Sequence, residues 1–466
     1  MSSNGDFPIY GSLGTLSAVL FAGSVSAEEL WDPPAIKHFP SYQEYFHGHG
    51  DAEDLVDIGR SLFSTKFNRL DGAGRPGATG DSKPTPRDVM HSINLTRVAG
   101  PDAMSCSACH NDPAIGGSGD FVANAFVGAH FTDPPTMSTD IQTTNERNTT
   151  TLFGSGLIEM LAREMSTELK MQKQDARSEA AEKGIEVTVS LETKGVSFGR
   201  ITVFPNGSFN AAELEGVDYD LTIRPFGVKG VAASLREFTI AALNQHHGIQ
   251  AVERYGWERT GLRDFDLDGY DEEFSIGQLT ALVLFQASLP PPKPKPSENA
   301  EIRKMEERGE VVFQHAGCTT CHIPELRIEA STFTEPNPFN RPGAITAEDV
   351  DGTIQIPIAE QPERYMIVKA FTDLKRHVIC DDEINHFCNE LHKQDNVDTR
   401  EFLTAKLWDL STSAPYGHRG DLLTLSEAIL AHGGDARSSR EAFTILSDTQ
   451  KKDLVRYLLS LGRDTQ

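Results

Sequence analysis

Two stretches of this chain repeat one another, and each closes a segment containing the same short motif. Residues 278–289 and 450–461 align without a gap, with Leu282/Leu454, Val283/Val455, Phe285/Tyr457, Ser288/Ser460 and Leu289/Leu461 at matching places. Both carry apolar residues at helical spacing and read as amphipathic helices. Upstream of each lies Gly-x-x-x-Phe, Gly59 to Phe63 and Gly309 to Phe313, followed by Cys-x-x-Cys-His. An opening helix, a cysteine–histidine motif and a closing helix with an aromatic side chain thus make one unit. The chain holds two.

The motifs are Cys106-Ser-Ala-Cys109-His110 and Cys318-Thr-Thr-Cys321-His322. In such a motif both thiols form thioethers with haem vinyl groups, and the next residue, histidine, reaches the iron. A zinc site or a redox dithiol is the competing reading. Two copies at the same place in a repeated helical unit argue against it. The expectation is two covalently bound haem c groups, with His110 and His322 as proximal ligands. The fold expected is mainly α, with two cytochrome c-like haem domains in tandem.

The boundary between the units is the run Pro290-Pro-Pro-Lys-Pro-Lys-Pro296, which favours stiff polyproline II. It separates an N-terminal haem domain, 28–292, from a C-terminal one, 297–466. The first is longer through two insertions. One is the Gly/Pro-rich stretch 71–86, and the other spans about 167–224. The latter begins as a polar helix, Thr167 to Lys183, and then alternates with period two through Val187, Val189, Leu191, Ile201 and Val203. With Pro205-Asn206-Gly207 as a turn, this predicts a small antiparallel sheet.

Residues 1–27 read as an export signal without a basic start: a short apolar stretch, then Val25-Ser26-Ala27 before Glu28. Export suits haem attachment and places the protein in the periplasm. No later apolar run is long enough to span a bilayer. The formal net charge of −25 argues against nucleic-acid binding and favours a basic redox partner. Cys380 and Cys388 stand outside the motifs. On a straight helix they would sit roughly 12 Å apart, so a disulfide requires a loop between them.

The stretches Phe402-Leu-Thr-Ala-Lys-Leu-Trp408, Thr412-Ser-Ala-Pro-Tyr416-Gly-His418-Arg-Gly420 and Thr424-Leu-Ser-Glu427 resemble the C-terminal signature of bacterial di-haem cytochrome c peroxidases. The di-haem oxidoreductase subgroup is more similar still. Arg147-Asn-Thr-Thr-Thr-Leu152, Phe226-Gly-Val-Lys-Gly230 and Ser234-Leu-Arg-Glu237 resemble that subgroup's N-terminal domain. The resemblance covers about 45–463. It implies that a small redox protein delivers electrons to the C-terminal haem, and that the N-terminal haem reduces hydrogen peroxide.

A peroxidase needs an open iron position and an acid/base group beside it. By the resemblance that group is Glu237, although Ser234-x-x-Glu237 is also a capping box and Thr424-x-x-Glu427 repeats it. His246 and His247 are candidate distal ligands of the first haem, with His91 and His130 as further ones. For the second haem the candidates are Met366 and His377, because Arg400-Glu401-Phe402 stands where the peroxidases carry methionine. Those enzymes also place a tryptophan between the haems, a position open here to Trp257 or Trp408. Asp264, Asp266 and Asp268, followed by Gly269, have the spacing of a calcium loop, with Ser275 at its twelfth position in place of glutamate. A di-haem electron carrier without catalysis, and a di-haem oxidase acting on an organic or protein substrate, are the alternatives.

Overall fold

The computed structural model describes residues 33–36, 51–74, 101–126, 144–350, 352–358 and 365–462. The export signal, His91, His130 and most of the 71–86 insertion lie outside the described residues. In chain order the helices are α1 (Ala52–Ser64), α2 (Ser155–Lys183), α3 (Leu235–Ala242), α4 (Ile276–Ser288), α5 (Ala300–His315), α6 (Leu425–Leu430), α7 (Arg437–Thr444) and α8 (Asp448–Leu459), besides single turns. The strands are β1 (Val122–Phe126), β2 (Thr144–Asn148), β3 (Val187–Thr193), β4 (Val196–Val203), β5 (Phe209–Leu214), β6 (Leu326–Ile328), β7 (Thr332–Glu335), β8 (Ile354–Pro357), β9 (Met366–Val368), β10 (Arg376–Val378) and β11 (Glu401–Leu403).

The repeat is physical as well as textual. In the first unit α1 crosses α4 so closely that a Cβ placed on Gly59 would lie 2.0 Å from the Ala281 carbonyl oxygen. In the second, α5 crosses α8, and a Cβ on Gly309 would lie 2.1 Å from the Asp453 carbonyl oxygen. Ala281 and Asp453 are equivalent in the repeat, so each crossing uses the same two positions. One turn on, Phe63 packs edge-on against Phe285 at 5.2 Å between centroids, and Phe313 against Tyr457 at 5.6 Å. Both closing helices also start alike. Ser275 with Gln278, and Ser447 with Gln450, form reciprocal capping boxes that satisfy backbone donors at the helix start.

The predicted insertion is present, with one correction. Its helix begins twelve residues earlier than Thr167, at Ser155. The first two turns, with Leu157, Ile158 and Leu161, are buried in the first core, and only the later part is polar and exposed. The sheet order is β3-β4-β5, all antiparallel. Leu191, Phe198, Ile201 and Val203 form its inner face, in one apolar cluster with Leu169, Ala176 and Ala180 of α2. The turn after β4 closes through Gly207, which sits at φ 80°.

Helix predominates over strand, 37% against 16%, yet strand is not confined to the insertion. Two-stranded antiparallel pairs β1-β2, β6-β9, β7-β8 and β10-β11 lie outside it. These strands are only three to five residues long, too short for a period-two signal, and they pair across long loops. The first core also draws heavily on the second half of the chain. Leu326, Ile328, Phe333, Ile356, Val368, Leu374 and Trp408 belong to the same apolar cluster as Phe63, Ile158 and Phe285. A smaller cluster around Val312, Phe313, Phe371, Leu454 and Tyr457 serves the second unit. Cys380 and Cys388 form a disulfide with Cα atoms 5.6 Å apart, in a loop held by Asp381, whose carboxylate accepts from the Glu383, Ile384 and Gly434 amides.

The crossings predict the effect of a single methyl group. Gly59→Ala or Gly309→Ala is expected to cost about 1–3 kcal/mol, because each overpacks a helix backbone rather than a flexible side chain. Denaturant unfolding measures it, and an unchanged midpoint in both variants would show that the helices do not cross as described.

Candidate active site

Each cysteine–histidine motif is wound into a single tight turn. Cys106–Ala108 and Cys318–Thr320 are 3-10 turns, and the His110 and His322 amides each donate to the carbonyl of the first cysteine at 3.0 Å. Both imidazoles are then fixed through Nδ1: His110 on the Gly117 carbonyl at 3.2 Å, and His322 on the Phe371 carbonyl at 3.0 Å. A carbonyl can only accept, so the proton sits on Nδ1 and the lone pair on Nε2, the state that binds a metal. Burial pushes both histidines down to about 4, so each is neutral at physiological pH.

The thiols point the same way. Burial pushes Cys106 up to about 12, and Cys109 and Cys318 to about 11. A redox dithiol works with lowered values. None of the four motif cysteines is in a disulfide, and among the described residues no cluster of metal-ligating side chains joins the two cysteines of either motif. The residues fit covalent haem: two cysteines on one tight turn and one oriented imidazole per unit.

A second histidine accompanies each motif. Helix α3 runs into a π turn, Leu243–His247, which ends at Gly248 with φ 73°. His247 is buried, with Nδ1 on the Ala103 carbonyl at 2.7 Å and Nε2 3.9 Å from Cys106 Sγ. His246 pairs through Nδ1 with Asp102 at 3.0 Å, with its side chain 28% exposed. Its field also acts on His110. In the second unit His432 holds this place: Nδ1 binds the Ala428 carbonyl at 2.7 Å, and its field acts on His322. The sequence reading missed His432. The signal was there, since Thr424-x-x-Glu427 leading to His432-Gly433 echoes Ser234-x-x-Glu237 leading to His247-Gly248.

Two candidates are placed elsewhere, and a third lies by its motif but is already bound. Both oxygens of Glu237 are engaged: Oε2 accepts from the Ala233 amide at 2.9 Å and Oε1 from the Arg341 amide at 2.5 Å. The Arg341 guanidinium lies 3.8 Å away and also binds Asp395. Glu237 therefore caps α3 and ties it to the segment around Arg341. None of these bonds directs it toward the first haem motif. Met366 stands in β9 opposite Ile328 and packs against the first apolar cluster, so its thioether is used as core. His377 lies beside the second motif, but its Nε2 is bound to Asp373 at 2.7 Å, and the two form a cluster with Cys321. Burial opposes its charge, yet the bonds to Asp373 and Cys321 outweigh that and raise it to about 10.

The tryptophans separate cleanly. Trp257 is 59% exposed, whereas Trp408 is buried with its ring over Gly154. Trp408 belongs to a segment that touches both motifs. At one end the Ala405 backbone bonds His322. At the other the Thr412 carbonyl accepts from Ser118 Oγ at 3.0 Å, next to the Gly117 that holds His110.

The acidic loop is formed as its spacing predicts. Asp264, Asp266 and Asp268 each bring a carboxylate oxygen within 4.8 Å of the others. Ser275 is used instead to cap α4. Burial and repulsion from Asp268 and Asp264 push Asp266 up to about 7.

The family model described as "Di-haem oxidoreductase, putative peroxidase" matches residues 136–461, most of the chain. The protein belongs to that family and is a di-haem oxidoreductase. No curated protein matches it. Among solved structures it is similar to Kuenenia stuttgartiensis hydrazine synthase pressurised with 20 bar of xenon, at 14% identity over 98% of this chain and 100% of that one, with a TM-score of 0.39. It is also similar to a MauG-like protein associated with microbial copper homeostasis, at 17% identity over 57% of this chain and 79% of that one, with a TM-score of 0.28.

If Glu237 is a cap rather than a haem-side acid, Glu237→Ala will cost about 1–3 kcal/mol of stability and leave the absorption spectra of both haems unchanged. A shifted spectrum with normal stability would return Glu237 to the haem.

Proposed function

We propose that this chain is an exported peroxidase, which reduces hydrogen peroxide to water beside His110 using electrons that a small, basic redox protein delivers beside His322. Two haem c groups, attached at Cys106/Cys109 and Cys318/Cys321, supply the redox chemistry when bound. The observation that carries the reading is the asymmetry between the units. Beside the first motif His246, partly exposed, is held by one carboxylate through Nδ1 alone, whereas beside the second His377 meets carboxylates at both ring nitrogens, Asp373 at 2.7 Å and Asp435 at 3.7 Å.

In this reading His246 is the acid/base group in place of Glu237. Asp102 fixes the ring through Nδ1, leaving Nε2 to take a proton from peroxide and return it to the departing oxygen. Partial exposure lets the pair exchange protons with water, which the buried His247 does less readily. His247 has its Nδ1 proton engaged by the Ala103 carbonyl and its Nε2 beside Cys106. The segment from Ala405 to Thr412, with Trp408 within it, gives electrons a continuous bonded route from the His322 side to the His110 side.

His246→Ala and Asp102→Asn should each lower peroxide turnover with a reduced cytochrome by about 100-fold or more, with haem content unchanged. Spectra and electron paramagnetic resonance of the oxidised and half-reduced protein test the open site directly. A high-spin signal in either state is expected. Two low-spin haems throughout, without turnover, would make the protein an electron carrier. Turnover with an organic substrate alone would make it an oxidase.

A further inference from the structure

Each proximal imidazole is oriented by a backbone carbonyl, that of Gly117 for His110 and that of Phe371 for His322. In both units the residue after that carbonyl carries a buried hydroxyl. Ser118, 0% exposed, donates Oγ to the Thr412 carbonyl at 3.0 Å. Thr372, 1% exposed, donates Oγ1 to the Thr404 carbonyl at 2.8 Å. Neither bond is local, since the partners stand 294 and 32 residues apart in the chain. Yet both acceptors belong to one segment, 404–412, with Trp408 midway between them.

That segment is itself firmly held. At its start the Thr404 amide donates to the Lys375 carbonyl, and the Leu407 amide to that of Ala370, both at 3.0 Å. At its end the Asp409 amide donates at 3.1 Å to the Leu461 carbonyl, just beyond α8. Thr412 then closes a turn by placing its hydroxyl on Asp409 Oδ1 at 2.9 Å. Asp409 is fully buried at φ 68°, a left-handed conformation that a non-glycine residue keeps only where its surroundings fix it. The loop that carries Gly117 is folded just as tightly on its motif. A Cβ on Gly117 would lie 2.0 Å from the Asp112 carbonyl oxygen, and one on Gly119 would lie 2.1 Å from that of Cys109. Ser118 stands between the two. Its Oγ is also 3.4 Å from the Asp112 carbonyl, but a hydroxyl has one proton and the shorter bond runs to Thr412.

A carbonyl that accepts from Nδ1 raises the basicity of Nε2, and a more basic ligand favours oxidised iron. Whatever fixes that carbonyl therefore tunes the metal. We propose that segment 404–412 is a common strut for both haem centres, from which Ser118 and Thr372 act as positioning residues for the proximal bonds of His110 and His322. The proposal rests on haem at both motifs, and is independent of the peroxide reaction.

Spectroelectrochemical titration of the holoprotein tests this, with haem content measured first. Ser118→Ala and Thr372→Val should each move a different one of the two reduction waves upward. The expected shift is about tenfold in the one-electron equilibrium, which is about 59 mV. Thr372→Ser keeps the hydroxyl and should restore the native wave. Ser166→Ala controls for burial alone: that hydroxyl is equally buried, in α2, and donates to the Ala162 carbonyl at 2.6 Å. It should lower the unfolding midpoint and move neither wave. Ser118→Ala removes a single oxygen, so that arm stands if Thr372→Val misfolds. Unmoved waves in the folded Ser118→Ala protein, or an equal shift in Ser166→Ala, would overturn the proposal alone. A native protein without two covalent haems would overturn it together with the haem reading.

Discussion

Two glycines set the distance on which both haem motifs depend. Where Gly59 meets Ala281, and Gly309 meets Asp453, one helix backbone rests on another with no side chain between them. That contact positions the phenylalanine one turn further on. Phe63 lies 6.3 Å from the His110 ring, and Phe313 packs at 6.1 Å against Phe371, whose carbonyl orients His322. The crossing, the aromatic and the imidazole form a short stack in each unit. Widening its base would displace the iron-facing nitrogen, although the glycine itself is remote from the chemistry.

Much of this was legible because it is local or repeated. The crossing helices, their aromatic partners and the tight turn of each cysteine–histidine motif follow from spacing alone, and the inserted sheet follows from alternation and a Pro-Asn-Gly turn. The rest depends on contacts that spacing does not encode. Met366 has the chemistry of an axial ligand, but its strand pairs with residues 326–328 and turns it into core. His377 sits near the second motif, yet a carboxylate four residues earlier claims its nitrogen. Glu237 looked catalytic and like a cap at once; burial with Arg341, more than a hundred residues away, decides for the cap. His432 escaped notice because its helix is shorter than its counterpart, which moves the histidine to five residues after the capping glutamate instead of ten.

The stretches that carry the family resemblance are chiefly joints between the halves. Arg147 holds Glu390 through a two-pronged bond at 2.7 and 3.0 Å and also reaches Gln394. Lys229, fully buried, donates to the carbonyls of Asp398, Thr399 and Glu401 and lies 3.6 Å from the centre of the Phe402 ring. Burial pushes it down to about 7, and those three carbonyls are what make a lysine tolerable there. Arg236 is equally buried, between Glu253 and Glu335. In this chain those residues serve first to hold the two units in register.

That register has a direction in time. A chain is made from its N-terminus, but Leu326, Phe333, Val368 and Trp408 are among the residues that complete the core around α1 and α4. The first unit therefore stays unfinished until most of the second has been synthesised, and a fragment ending at the proline run would be left with a cleft along one flank. The first part to be built is among the last to close.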